Sequence, residues 1–462
     1  MDHRPVLERT AIKAACHWLH SQMWTNWDEE EGSVLYKAVD RLGEGTFSSV
    51  FLARDLFHTK YDNEYWTGNK AQQVYTEYFG EDPTIRVALK KILVTSSPVR
   101  IENELSILES LRGSRNVSKL ITAFRQDDQV IIVMSYHPCD DFRHFYRHMD
   151  VKHIRSYMRS LLRGLKEIHQ RGIIHRDIKP ANFLYDYATG QGAICDFGLA
   201  ERYKPARRPT CQHSSASIRS STSGKVRTAE TPAVERAVYQ ARKRAKLGDG
   251  RVGFLGDDTR PSMKTNRAGT RGFRAPEVLL KCPDQSFAID TWSAGIILLS
   301  ILAQKFPIFN STDDVEAMME IAALFGRSAL ERCAMLHNRT LICNVPTLDA
   351  DPQRTLKSIV LRLNPHLYTP PSSCPSSWEA EEHIRFIDHA LRLLHGLLRL
   401  DCTSRFSASE ALQHEFFSEE GEDMDQDFDD FEPVGIQDGK CGNLHGFVDG
   451  RRASYAVIAS KS

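Results

Sequence analysis

One block constrains this 462-residue chain more than any other: His175-Arg176-Asp177-Ile178-Lys179-Pro180-Ala181-Asn182, with Asp196-Phe197-Gly198 beginning 14 residues after Asn182. Those residue types at that spacing suit phosphoryl transfer. Asp177 can accept or orient the proton of an attacking hydroxyl. Lys179 can steady the transferring group. Asn182 and Asp196 offer hard oxygen ligands to Mg2+. The two blocks in order are far more restrictive than either alone, because every residue in them has a separate chemical task.

Upstream parts fit the same chemistry. Gly43-Glu44-Gly45-Thr46-Phe47-Ser48-Ser49-Val50 lies between two β-favouring runs, 36–42 and 49–54. Glycines in a strand–loop–strand setting let backbone N–H groups come close to phosphates. Taken alone the loop reads first as an ordinary hairpin turn, and Ser48 stands where a third glycine would make it more permissive. Val87-Ala88-Leu89-Lys90 puts a lysine on the next strand, 86–93, 40 residues after Val50. Its amine can bind α- and β-phosphates if a carboxylate orients it. The helical pattern at 98–111 offers Glu104 and Glu102, which point to roughly opposite sides. Glu104 is the choice. Strand patterns at 117–124 and 130–136 follow, and beyond Asp141 the chain is mostly helical.

Ala275-Pro276-Glu277 and Asp290-x-Trp292-Ser293-x-Gly295 complete the series. Together these motifs resemble the eukaryotic protein kinases over residues 34–417. The resemblance implies an α+β bilobal fold, with a small β-rich lobe at about 34–136 and a large helical lobe at about 137–417. Residues 1–33 are an N-terminal extension, with a helix expected from Val6 to Trp24, and 418–462 form an acidic tail. The resemblance implies ATP and Mg2+ as cofactors. Leu42, Gly43, Glu44, Gly45, Thr46, Phe47, Ser48, Val50, Ala88 and Lys90 are expected around the nucleotide, with Met134 as gatekeeper and Tyr136 in the hinge. Lys179 and Thr270 point to the Ser/Thr branch. Glu277 is expected to pair with Arg405, and Leu108, His175 and Phe197 to stack in an internal spine. A casein kinase II-like enzyme and a nucleotide-binding pseudokinase scaffold are the alternatives. The long insert argues against the first and the intact catalytic set against the second.

The wording is closer still to the cell division cycle 7 kinases, in the glycine loop and in Ala268-Gly269-Thr270-Arg271-Gly272-Phe273-Arg274-Ala275-Pro276-Glu277-Val278-Leu279. That family carries long inserts, matched here by 202–267 between Asp196 and Glu277 and by 337–378. A further segment, 57–84, is aromatic-rich and departs from the family. The resemblance implies a Dbf-type regulatory subunit, MCM helicase subunits as substrates, a role in replication initiation and a nuclear location. Thr270, Arg271 and Arg274 line the expected substrate groove, where two guanidinium groups would favour acidic or phosphorylated residues. A structural ion pair is the competing reading of Arg274.

Charge is uneven beneath a formal sum of zero. Residues 202–267 hold 16 Lys/Arg and 5 Asp/Glu, and residues 418–432 hold 9 acidic and no basic residues. Both are expected to be largely disordered. Arg242-Lys243-Arg244-Ala245-Lys246 resembles a nuclear localisation run; direct DNA contact is the weaker reading of it. Ten scattered cysteines without a C-x-x-C fit a reducing compartment and argue against a zinc ribbon. No apolar run reaches the roughly 20 residues of a membrane span, so no membrane partner is expected.

Overall fold

The computed structural model describes residues 17–18, 24–28, 33–45, 47–56, 85–126, 129–204, 211, 213, 268–339, 341, 343, 348, 355–370, 377–418, 445–448 and 451–454. The 57–84 segment, the basic run at 242–246, nearly all of the 202–267 insert and the acidic stretch 419–432 lie outside the described residues. The chain forms two compact units.

The first unit comprises the described residues of Met1–Pro138, Ala193–Gly198 and Gly421–Ser462. Its centre is an antiparallel sheet. The strands are β1 (His17–Trp18), β2 (Trp24–Asp28), β3 (Ser33–Glu44), β4 (Ser48–Asp55), β5 (Ile85–Ile92), β6 (Leu120–Gln126) and β7 (Gln129–Ser135), in the order β1-β2-β3-β4-β5-β7-β6. Of the expected Val6–Trp24 helix, only His17, Trp18 and Trp24 fall among the described residues, and these lie in strands. His17–Trp18 pairs with β2, and β2 adds to the sheet with Trp27 opposite Val34. Aromatic residues favour such pleated edges, and an existing strand supplies hydrogen bonds that an isolated helix would have to provide for itself.

Alternation along β5 sorts its side chains. Val87 and Leu89 enter a core with Tyr36, Ala38, Ala53, Ile131 and Val133. Each fully buried aliphatic there contributes about 1.5–3 kcal/mol. Ala88 and Lys90 therefore point to the opposite face. Helix α1 (Pro98–Ser110) starts where Ser97 caps Arg100 N–H and Pro98 takes the first position, and it buries Glu104, Leu105 and Leu108.

The second unit, Cys139–Gly192 with the described residues of Leu199–Glu420, is mostly helical. Helix α2 (Val151–Gln170), capped by Asp150, buries Ile154, Met158, Leu161, Leu165 and Ile168 along one stripe. Then come α3 (Pro276–Leu279), α4 (Ala288–Leu302), α5 (Asp314–Phe325) and α6 (Arg327–Leu336). Helix α4 is buried all round, with Trp292 at its heart. The 337–378 insert contains a helix, α7 (Leu356–Leu363). A reciprocal Thr355–Ser358 capping box starts it, and Leu356, Ile359 and Val360 bury one face. Helix α8 (Ser377–Leu397) follows. Among the described residues, no helix is long and apolar enough to cross a membrane.

Candidate active site

Each unit holds one cluster of the expected residues. In the first, Lys90 Nζ on β5 donates to Glu104 Oε1 at 2.6 Å and to Asp196 Oδ1 at 2.7 Å. Glu104, and not Glu102, is the orienting carboxylate. Lys90 and Glu104 are almost wholly buried, whereas the Asp196 side chain is 49% exposed. Burial alone would disfavour the charge on Lys90; the two carboxylates outweigh it and raise its pKa. Asp196 has φ 62°, a left-handed conformation costly for a non-glycine residue. Its segment is fixed in place by Ser118 N–H donating to Ile194 O at 2.9 Å and by Arg100 Nε donating to Gly198 O at 2.8 Å.

The remaining first-unit residues form one wall. Strand register sets Val50 opposite Lys90 and Ala88 opposite Met134. Met134 is buried and Tyr136 half-buried. Gly43 pairs with Val50 and Glu44 with Ser49 at the end of the β3–β4 hairpin. A Cβ added at Gly43 would meet nothing within 4 Å, so the space beside its backbone is open to a ligand. Gly45 N–H donates to Ser48 O at 2.8 Å, closing the loop tip; Thr46 lies outside the described residues. Leu42 and Phe47 are exposed, and the Arg100 guanidinium sits 3.7 Å over the Phe47 ring.

In the second unit Asp177 is the hub. Its Oδ1 accepts Thr270 N–H and Thr270 Oγ1, both at 2.7 Å. Its Oδ2 accepts Lys179 Nζ at 2.7 Å and Asn182 Nδ2 at 3.0 Å. Lys179 Nζ also reaches Thr270 Oγ1 at 2.9 Å. This approach depends on Gly269, at φ +101°: a Cβ there would fall 2.3 Å from the Arg176 carbonyl oxygen. Asn182 Nδ2 donates to Asp177 O as well, which leaves the amide oxygen as the atom able to ligate a cation. In the first unit the half-exposed Asp196 carboxylate likewise offers hard oxygens of the kind a divalent ion prefers.

Asp290 positions this loop. Its carboxylate accepts the backbone N–H groups of His175 and Arg176 at 2.8 Å each, and His169 Nε2 lies at 3.0 Å. Burial works against the Asp290 charge, yet His169 and the other donors hold its carboxyl below the ordinary range. Arg176, at φ 71°, donates to Glu201 and Gln285. Glu277 pairs with Arg405 through two bonds, of 2.6 and 3.1 Å, as expected. Leu108, His175 and Phe197 are each buried.

The two arginines differ. Arg274 is committed, with Nη1 2.8 Å from Asp314 Oδ1 and Nε donating to Gly269 O at 2.9 Å. Arg271 is 38% exposed, with Nε 3.5 Å from Asp314 and Nη1 donating to Ser311 O at 3.3 Å. Sequence reasoning missed Arg100, whose signal was its place four residues before Glu104 on one helix face. It also missed His169, Glu201 and Gln285, which sit in no motif and are defined only by the packed loop.

The family model described as a protein kinase domain matches residues 71–219 and 239–417. The chain is 41% identical over 395 residues to the cell cycle serine/threonine-protein kinase hsk1 of Schizosaccharomyces pombe, covering 82% of this chain and 72% of that protein. It is 38% identical over 388 residues to the cell cycle protein kinase spo4 of the same organism, covering 83% and 85%. It is 26% identical over 539 residues to the cell division cycle 7-related protein kinase of Homo sapiens, covering 84% and 90%.

Proposed function

The chain belongs to the protein kinase family, in its cell division cycle 7 branch, and from that premise we propose that it is a nuclear catalytic subunit. A Dbf-type regulatory subunit activates it, and it phosphorylates acidic-context Ser/Thr sites on the MCM helicase to promote initiation of DNA replication. As a cell-cycle Ser/Thr protein kinase it uses ATP and a divalent cation; Mg2+ is the ion we assign. When bound, the nucleotide and its metal supply the γ-phosphoryl group and neutralise its charge. Lys90, held by Glu104, supplies a fixed cation for the α- and β-phosphates. Asp177 orients the incoming hydroxyl and takes its proton. Lys179 steadies the transferring group, and Asn182 and Asp196 are the residues that would offer oxygen ligands to the metal.

The observation that carries this reading is the four-bond clasp on Asp177, which fixes its carboxylate beside the Thr270 hydroxyl. A positioned base of this kind contributes roughly 10²–10⁴ in rate. The test is phosphorylation of an MCM peptide by the chain with and without a co-purified Dbf-type subunit. Activity should require both the subunit and Asp177, and Asp177→Asn should abolish it while ATP binding persists. Transfer by Asp177→Asn at the wild-type rate would contradict the assignment.

Acid selectivity is assigned to Arg271, because its side chain is 38% exposed against 17% for Arg274 and its contacts with Asp314 and Ser311 O are the longer ones. Arg271→Ala should weaken phosphorylation of acidic peptides about tenfold more than that of neutral peptides, about the worth of one charge-assisted hydrogen bond. Equal losses on both would remove Arg271 from specificity.

A further inference from the structure

The catalytic reading leaves one buried cluster in the second unit unexplained. Cys211, His213, Cys282 and His337 bring one ligand atom each to within 4.8 Å of one another, and all four residues are buried. They come from three separate places. Cys211 and His213 lie in the long insert, Cys282 follows α3 and His337 follows α6. We infer that these four side chains form a structural Zn2+ site that closes the base of the insert.

Donor chemistry supports the assignment. Two thiolates and two imidazoles are a common tetrahedral set for structural zinc, with Zn–S about 2.3 Å and Zn–N about 2.0–2.1 Å. Tetrahedral geometry at those lengths places two sulfurs about 3.8 Å apart. Cys211 Sγ and Cys282 Sγ are 3.5 Å apart. A disulfide would need about 2.05 Å.

The histidines add independent support. His337 is 1% exposed, and neither ring nitrogen has a hydrogen-bond partner. A buried imidazole without partners is costly, and a metal ion satisfies it. His213 Nε2 lies 3.0 Å from the Asp284 carbonyl oxygen. That contact makes Nε2 the N–H and leaves the Nδ1 lone pair as the ligand, the outer-shell arrangement usual for metal-bound histidine. Asp284 also accepts the Cys211 N–H through Oδ2 at 3.1 Å, so one residue orients two ligands. Charge balances as well. Binding displaces two thiol protons, and two thiolates then neutralise the dication in a buried place.

The position gives the site its role. The pair Cys211–Cys282 closes a loop whose ends are 71 positions apart and which contains both the basic insert and Thr270. Fixing such ends removes much of the loop's conformational freedom. Gln285 Nε2 donates to Cys282 O at 3.0 Å, and Arg176 Nη2 donates to Gln285 Oε1 at 2.8 Å. The zinc is thereby tied to the arginine of the catalytic loop by two hydrogen bonds.

The test uses the full chain purified without a histidine tag under reducing conditions, with elemental analysis and Co2+ exchange. About one zinc per chain is expected, and Co2+ in its place should show the absorption of a tetrahedral thiolate–imidazole site. The double variant Cys211→Ser, Cys282→Ser should lose zinc at least tenfold. His337→Cys, which keeps four ligands, should retain it with a changed cobalt spectrum. A chelator should lower the melting temperature of the wild type but not of the double variant. Three results would overturn the proposal: no zinc in the wild type even after incubation with Zn2+, zinc that the double variant retains, or a Cys211–Cys282 disulfide in the reduced preparation.

Discussion

Two buried ion pairs share the same closest contact and differ in everything around it. Lys90–Glu104 and Arg405–Glu277 both meet at 2.6 Å. Arg405 and Glu277 are closed off, with side chains 0% and 3% exposed. Arg405 gives two bonds to Glu277, a third to Ala288 O at 2.7 Å and a fourth to Arg399 O at 2.9 Å. Its guanidinium also lies 5.1 Å from the Trp292 ring centroid. Lys90 instead divides two of its three donors between Glu104 and the half-exposed Asp196. A closed fork of bonds holds a fold together; a point charge beside an exposed carboxylate is set to meet a ligand. Arginine and lysine suit these tasks for that reason.

Conservative exchanges test the contrast. Lys90→Arg keeps the charge but displaces it, and a displacement of about 1 Å can cost about 10²-fold in rate. We expect at least that loss in kcat/KM with a melting temperature close to wild type. Arg405→Lys keeps the charge but loses the second Glu277 bond and the fork to the carbonyls. It should cost about 2–3 kcal/mol, because bonds to charged groups are worth about 1.5–3 kcal/mol and the freed carbonyls are left buried. For a unit of this size the melting midpoint should fall by roughly 4–12 °C. The folded fraction should keep most of its rate. The contrast breaks if Lys90→Arg lowers the midpoint as far as Arg405→Lys does, or if Arg405→Lys loses rate beyond its loss of folded protein.

The same contrast bears on what could be read in advance. Lys90, Asp177, Asn182 and Asp196 occur in short motifs, because each must face one small phosphate group and sequence spacing follows. Glu104 was legible one step further, through helix geometry. Arg405 was legible only by resemblance, since nothing local at 405 indicates a partner 128 positions away. Arg274 was ambiguous because the same guanidinium can grip a substrate or Asp314, and only packing decides. At His17, Trp18 and Trp24 the helical pattern gives way to strands because strand addition depends on an edge that lies elsewhere in the chain. The Cys211–His213–Cys282–His337 cluster was invisible for a similar reason: its ligands span 126 positions and show no C-x-x-C. A residue inside a short motif can be read from the sequence even when its partners are distant, whereas one whose role rests only on a distant partner cannot.

The smallest expected effect concerns pH and separates the pairs by sign. Burial opposes the Glu277 charge, but Arg405 overrides it and holds the carboxyl below its ordinary 4.5. Stability from that pair is therefore full above the ordinary value and lost as pH falls through the lower folded one. Lys90 is raised above its ordinary 10.5, so its contribution is full below that value and lost as pH rises through the folded one. The two exchanges should then act differently on a curve of melting temperature against pH: of the two, only Arg405→Lys should move the acid limb, and they should change the alkaline limb in opposite senses. Arg405→Lys weakens the hold on Glu277, so the acid loss should begin at higher pH, and the new lysine, which titrates where arginine does not, should add an alkaline loss of its own. Lys90→Arg substitutes a group that does not titrate in the accessible range, so the alkaline loss assigned to Lys90 should disappear while the acid limb stays. Difference curves against the wild type isolate these contributions from those of the other carboxylates and lysines. If Lys90→Arg shifted the acid limb as Arg405→Lys does, the two pairs could not be electrostatically independent, and the distinction between a closed structural pair and an open ligand-facing one would have to be given up.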